Sequence, residues 1–479
     1  MDSLKNKTLK GFSWSFIDNI ASSGVSFFVG LILARLLSPA EFGIIGMITI
    51  FIAISNSIVD SGFSNALIRN NNTKSIDYNT VFYFNILVSI ALYIILYSAS
   101  PAISRFFGQP ILVPITRSMG SILLINAFGI IQRTLLVKRV DFKTQTKVSI
   151  IASLISGIIG IGMAIKGLGV WSLVGQQISR QLFNTIFLWI YNSWRPVLEF
   201  STTSFNEQFG FGSKILVSGL IDTIYKNIYY VVIGRYYSTF QLGQYSRAEQ
   251  FNNIFSSNLT SIVQRVSYPT LCSIQDEQER LISAYRKIIK MTMLVTFFFM
   301  LGLAAIARPL IILLIGEKWL TAVKYLQIIC FAGMLFPLHA INLNILQVKG
   351  RSDLFLRLEV IKKTLAVLPI ILGIFWGIEF MLLGSVFTSF VSFFLNSYYS
   401  GRLIQYSTRQ QIYDILPIFL ISFLVSSIMY IITFLNFSNT LTILIQCIIG
   451  FLLYIGIYER INLSSYNELK QMVLQLIKG

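Results

Sequence analysis

Charge is scarce in this 479-residue chain: 12% of its residues are Asp, Glu, Lys or Arg, about half of what a soluble globular domain carries. No stretch of domain size has the polar surface that water requires, which excludes an ordinary cytosolic enzyme. Histidine is nearly absent as well. With His339 the one copy, a histidine-built zinc centre is excluded and a Ser-His-Asp triad would hang on a single residue. Cys272, Cys330 and Cys447 lie far apart without a CxxC, so neither a disulfide framework nor a thiolate metal site is expected and they read as packing residues. Gly-rich phosphate loops, Walker motifs and DxD patterns in a suitable context are missing too, and the loops are too short to fold as a catalytic domain. A membrane polymerase or glycosyltransferase is therefore disfavoured. The chain reads as a non-enzyme with no cofactor and no metal.

What the sequence has is apolar residues, 54% of the total, with a mean hydropathy of +0.70. About 20 helical residues at 1.5 Å each cross a hydrocarbon core of about 30 Å. On that measure helices are expected near 12–33, 42–59, 81–100, 111–131, 148–166, 169–191, 211–234, 247–269, 291–315, 325–347, 358–376, 380–400, 412–434 and 438–458. The fold class is an all-α polytopic membrane protein of about fourteen spans. Lys5, Lys7 and Lys10 ahead of the first apolar stretch imitate a signal peptide, but that stretch is long and contains Asp18 and Asn19, so it reads as an uncleaved span. The weakest span is 247–269, rich in amides and hydroxyls, which either faces water or lowers the count to thirteen.

A net charge of +18 raises the question of nucleic acid. Topology accounts for it instead. Threaded through fourteen spans, Lys and Arg gather on the side of both termini, most densely at Arg133, Lys138, Arg139, Lys143 and Lys147 and at Lys349, Arg351, Arg357, Lys362 and Lys363. The positive-inside rule makes that side cytoplasmic. Dropping span 247–269 would send the second cluster to the opposite side, so fourteen spans with both termini inside is the expectation.

The chain also repeats itself. Arg35-Leu-Leu-Ser38 through Gly43 aligns with Arg235-Tyr-Tyr-Ser238 through Gly243 at an offset of 200. Further on, Pro101 to Gly108 matches Pro309 to Gly316, Val137-Lys138 matches Val348-Lys349 and Gly167 matches Gly377, all in order and about 210 apart. Six spans separate the copies, so both insert with the same orientation about a pseudo-two-fold along the membrane normal. The expected organisation is two pseudo-symmetric six-helix lobes, 1–200 and 201–405, followed by two additional helices and a cytoplasmic tail in 406–479.

Polar groups in a bilayer are costly and are expected to face a cavity or another helix. Spans one, two, seven and eight carry most of them. The ionisable residues within spans are Arg117, Arg180, Lys226 and Arg265 against Asp18 and Asp222. Each has a structural reading beside the functional one. Arg117 and Arg265 sit near span ends and could snorkel; Asp222 and Lys226 are spaced i,i+4 and could neutralise each other; Arg180 lies mid-span, too deep for that. His339, beside Pro337, reads as a hydrogen-bonded packing residue. Four cations against two anions favour an anionic solute such as a phosphate or pyrophosphate over a drug cation. The four cations are the candidate substrate ligands, Asp18 and Asp222 the candidates for ion coupling, and Tyr225, Tyr229, Asn252 and Asn253 the candidate sugar contacts.

Four segments, taken in order, carry a resemblance: Leu33-Ala-Arg-Leu-Leu-Ser-Pro-Ala-Glu-Phe-Gly43, Ser61-Gly-Phe-Ser-Asn-Ala-Leu-Ile-Arg69, Gly167-Leu-Gly-Val-Trp-Ser-Leu-Val174 and Gly316-Glu-Lys-Trp319. Over most of its length the chain resembles the polysaccharide or O-antigen flippases of the multidrug/oligosaccharidyl-lipid/polysaccharide exporter superfamily, nearest the colanic acid and teichuronic acid exporters. The resemblance implies alternating access through a cationic path, moving an undecaprenyl-pyrophosphate-linked oligosaccharide across a bacterial inner membrane. It also implies coupling to a proton or sodium gradient; a polysaccharide polymerase is a candidate partner. A cation-coupled multidrug exporter on the same scaffold is the alternative, against which the cationic balance counts.

Overall fold

The computed structural model describes residues 24–70, 72–435 and 437–478. Among them there is no strand; the elements are α-helices and two short 3-10 turns. In chain order the helices are α1 (Gly24–Leu36), α2 (Pro39–Asp60), α3 (Phe63–Arg69), α4 (Ser75–Phe107), α5 (Leu112–Lys138) and α6 (Phe142–Ile165). Then come α7 (Val170–Tyr191), α8 (Thr202–Tyr236), α9 (Thr239–Cys272), α10 (Gln278–Ile315), α11 (Leu320–Gly333) and α12 (Phe336–Val348). The last are α13 (Ser352–Leu365), α14 (Val367–Trp376), α15 (Ile378–Ile404), α16 (Thr408–Ile432), α17 (Asn439–Ile461) and α18 (Ser464–Lys478).

The expected spans after the first fall on these helices, and residues 12–23 of the span expected at 12–33 lie outside the described residues. Two of them are broken: 325–347 is α11 plus α12, and 358–376 is α13 plus α14. Pro337 enters the first turn of α12, where its missing N–H is no loss. Pro369 follows the second break, four residues after Leu365, where its ring would clash with a continuous helix. Among the described residues nine helical stretches are long and apolar enough to cross a membrane. The expected spans outside that set are α1, of which only the later part is described, α7, α8, α9 and the broken α13–α14, and polar side chains dilute the apolar run in α7 to α9. Leu87, Ile158, Phe375 and Leu452 are each about two thirds or more exposed, an arrangement that only lipid tolerates on this scale. The chain is a multi-pass α-helical membrane protein.

Several expected loops are helix instead. Residues Arg133 and Lys138 belong to α5, and only a short turn, with Val140 at positive φ, separates it from α6. Continuing the helix satisfies the backbone groups without help from water. Lys138 then reaches across to the carbonyls of Leu67 and Asn70, at 2.9 and 2.6 Å, and to Thr73 Oγ1, pinning the loop ahead of α4. The helices α3 and α18 had no counterpart among the expected spans. Between α2 and α3, Ser61 and Gly62 take left-handed φ of 49° and 71° in succession, and a side chain on Gly62 would strike the Gly212 carbonyl of α8.

The chain divides into two compact units, Met1–Gly243 and Gln244–Gly479. In the first, α4 packs on α5, α6 and α5 on α7, and α2 on α8; in the second, α10 packs on α11, α16 and α17, and α15 on α11 and α14. The repeat seen in the sequence recurs as local structure. Ser38 caps α2 with Glu41, whose carboxylate accepts from the Ser38 N–H at 2.6 Å; Ser238 caps α9 with Gln241 in the same way, at 3.3 Å. Pro101 and Pro309 lie inside α4 and α10, and Gly108 and Gly316 end them at φ 66° and 96°. Gly167 and Gly377, at φ 75° and 111°, precede α7 and α15.

Candidate functional site

Three helices of the first unit, α2, α5 and α7, pack together and each contributes two polar side chains to a common seam. On α2 these are Asn56 and Asp60, one turn apart; on α5, Asn126 and Arg133, two turns apart; on α7, Gln181 and Asn184, three residues apart. Those spacings place each pair on one helix face. The seam has two rungs. In one, Asn126 Nδ2 donates to Asn56 Oδ1 at 3.0 Å, and Gln181 Nε2 donates to Asn126 Oδ1 at 3.0 Å. In the other, Arg133 donates to Asn184 Oδ1 at 3.3 Å, while Thr134 Oγ1 donates to Ser64 Oγ at 3.1 Å and Ser64 in turn to Asp60. The Arg133 guanidinium and the Asp60 carboxylate attract each other across this rung without direct ion-pair contact. Hydrogen-bonded amides and an internally compensated charge are how polar groups persist at this depth of a helix bundle.

Arg180 adjoins Gln181 on α7. It is half-buried and makes no hydrogen bond or ion pair among the described residues. A guanidinium has five donors and, away from bulk water, demands acceptors. That unmet demand makes Arg180 the strongest ligand-binding candidate in the unit.

Among the described residues, the other expected site residues lie on α5, α8 and α9. Arg117 on α5 is committed to packing: its Nε donates to Ser100 Oγ at 3.0 Å and its guanidinium lies 4.1 Å from the Tyr97 ring centre, both on α4. Lys226 on α8 is exposed, and Asp222 is half-buried one turn earlier. Tyr225 is exposed on the same helix and Tyr229 half-buried; Tyr230 packs its ring on Gly46 of α2. In the second unit, Arg265 and Asn253 are exposed on α9. Asn252 is buried there, bonding Ser256 at 3.3 Å and pressing against Gly333 of α11. His339 bonds Ser389 Oγ at 3.1 Å and Asn396 at 3.4 Å, as a packing histidine should. Asp18 lies outside the described residues. No group of three metal-ligating side chains occurs among the described residues.

The seam was not singled out in the sequence. Span two is among the polar spans, but Arg133 lies beyond the expected span 111–131 among the loop cations, and span six does not stand out. The available signal was the run Gln177, Arg180, Gln181 and Asn184, a helical stripe inside an expected span. The second half lacks the charges. With Val137 matched to Val348, Arg133 corresponds to Asn344, which bonds Ser267 of α9 at 2.8 Å. That unit places its charges elsewhere: Asp414 on α16 takes ion pairs from Arg286 and Lys290 of α10, at 2.8 and 2.9 Å, and a hydrogen bond from Tyr406 at 2.6 Å.

Residues 32–324 match the family model described as polysaccharide biosynthesis protein. Teichuronic acid biosynthesis protein TuaB of Bacillus subtilis is 27% identical over 74% of this chain and 74% of its own. Lipopolysaccharide biosynthesis protein WzxC of Escherichia coli is 24% identical over 78% of this chain and 76% of its own. Among solved structures, the lipid II flippase MurJ in an inward closed conformation superposes with a TM-score of 0.74 at 15% identity, covering 94% of this chain and all of that one. An inward-facing multidrug resistance transporter of the MATE family gives 0.62 at 15% identity, over 80% of this chain and 94% of its own. The chain shares their fold.

Proposed function

Because the chain belongs to the polysaccharide biosynthesis protein family, we propose that it is a transporter of surface polysaccharide assembly. It flips an undecaprenyl-pyrophosphate-linked oligosaccharide repeat from the cytoplasmic to the outer leaflet of a bacterial inner membrane, with both termini in the cytoplasm. Its partners are that lipid-linked anion, the surrounding lipids, a proton or sodium ion as coupling ion, and a polymerase that receives the flipped repeat. The chain itself catalyses no covalent step.

The observation that carries this reading is Arg180, half-buried beside a seam of neutral amides and without a hydrogen-bond or ion-pair partner among the described residues. A pyrophosphate offers the acceptors that this guanidinium lacks, in the planar geometry that arginine matches well. Exposed Lys226 on α8 adds a second cation, and Tyr225 and the amides of the seam supply the stacking and hydrogen-bonding surfaces a sugar needs. Asp60, tied to Ser64 and faced by Arg133, is the described carboxylate best placed to sense a coupling cation. Arg117 and Asn252, held by their neighbours, support the helices.

The test is deletion of the gene with surface polymer and lipid-linked intermediates both quantified. Loss of polymer with single lipid-linked repeats stranded on the cytoplasmic leaflet is expected. Intact polymer overturns the proposal, and repeats that cross but stay unpolymerised point to a polymerase.

A further inference from the structure

A groove runs along the outside of the first unit between α5 and α7, separate from the seam. Its cavity of about 450 Å³ is lined by Ile125, Phe128, Leu182, Ile186, Trp189 and Ile190, with Thr185 in its floor and Arg195 at its end. The floor is internally satisfied. Thr185 Oγ1 donates to the Ile125 carbonyl at 3.1 Å, and Trp189 Nε1 donates to the Phe128 carbonyl at 2.9 Å. The indole thus turns its polar atom inward and offers the groove only its ring.

Arg195 differs from the rest of the lining. Its guanidinium lies 5.4 Å from the Trp189 ring centre and is fixed by three backbone carbonyls: Asn192 at 2.7 Å, Trp194 at 2.8 Å and Trp189 at 3.1 Å. These acceptors are neutral. Three of its five donors are used, two remain, and the side chain is exposed with no carboxylate in ion-pair range among the described residues. The helix end therefore presents a rigidly aimed, uncompensated positive charge beside tryptophan, the residue that marks a bilayer's polar boundary. From Leu182 to Ile190 the groove extends about 12 Å along α7, close to the hydrocarbon depth of one leaflet, about 15 Å.

We propose that this groove is a binding site for an anionic phospholipid: one acyl chain lies against Ile186, Ile190 and Phe128, and the headgroup phosphate or glycerol-phosphate anion meets Arg195. The apolar walls take any acyl chain, so the charge decides among lipids. A bound lipid would brace α5 against α7, the two helices that carry Arg133, Arg180 and Gln181. The site is independent of the transported substrate, and its test does not require flipping.

Purified full-length protein in detergent is titrated with brominated phosphatidylglycerol or brominated phosphatidylcholine while tryptophan quenching is followed; subtracting a Trp189→Phe variant isolates the groove. Phosphatidylglycerol is expected to quench at roughly fivefold lower concentration, as one interfacial cation warrants. Arg195→Gln abolishes that preference and leaves phosphatidylcholine unchanged, Arg195→Lys retains most of it, and Ile186→Phe, filling the groove, weakens both lipids. Equal quenching by the two lipids in the unaltered protein overturns the proposal. So does a lysine variant that fails as fully as the glutamine one, since the arginine would then act only through its carbonyl bonds.

Discussion

Gly43 and Gly243, 200 residues apart, hold mirrored positions: a side-chain carbon on Gly43 would strike the backbone carbonyl of Thr239, and one on Gly243 would strike that of Pro39. Thr239 and Pro39 are themselves 200 apart and open the helices α9 and α2 in which the glycines sit. A contact in which i meets j and j′ meets i′ is what a two-fold axis produces. Here the reciprocity joins matching positions of the sequence repeat, all four of them within the first unit. The first turns of both helices approach backbone to backbone, closer than any side chain allows.

That contact predicts that Gly43→Ala and Gly243→Ala each destabilise the protein by about 1–3 kcal/mol, because the obstacle is backbone and cannot rotate away. Thermal unfolding of detergent-purified variants measures it. A Gly43→Ala protein that melts with the unaltered chain would show that these turns separate freely.

Arg180 and Arg117 should respond differently to truncation. Arg180→Ala is expected to lower surface polymer about tenfold or more with normal protein abundance, the loss of one charge-assisted contact to phosphate. Arg117→Ala removes the bond to Ser100 and the stacking on Tyr97. It should reduce stability by about 1–2 kcal/mol, with polymer falling only in proportion to protein. Quantitative blotting beside polymer assay separates the two, and the reverse pattern would exchange their roles.

In the seam, Asp60→Asn or Arg133→Gln alone leaves a charge facing no counter-charge. Each is expected to destabilise by about 2 kcal/mol, less than a fully buried pair because both side chains are half-buried. The double variant Asp60→Asn with Arg133→Gln should recover much of that stability. If it also stays silent in polymer assembly while folding normally, Asp60 carries the coupling. Double-variant assembly at the unaltered level would remove Asp60 from the mechanism.

Asp414 is shared by Arg286, Lys290 and Tyr406. Its side chain is 4% exposed, whereas Arg286 is 43% exposed, so solvent softens the pairing. Asp414→Asn is expected to lower stability by about 2 kcal/mol, and Tyr406→Phe by about 1 kcal/mol, through lost hydrogen bonds. Loosening of α16 from α10 would appear as faster amide exchange in both. Unchanged exchange would mean that apolar packing alone joins these helices.

Hydropathy located the spans, since about 20 apolar residues have few alternatives in a bilayer, and the glycine and proline repeats located the duplication. Both are local properties of the chain. The polar seam was less legible. Asn56, Asn126 and Gln181 sit on three helices far apart in sequence, and their pairing depends on how those helices are rotated about their axes. Arg117 and Arg180 illustrate the same limit: both are arginines inside spans, and only the presence of Tyr97 and Ser100 beside one marks it as an anchor.

Composition and periodicity by themselves determined an all-helical membrane chain with an internal repeat, because the cost of exposing backbone and charge to lipid acts residue by residue. Tertiary structure decided which polar groups are satisfied and which are not. Arg180 and Arg195 owe their interest to what lies, or fails to lie, within hydrogen-bond reach, and that distance is set only when the helices pack.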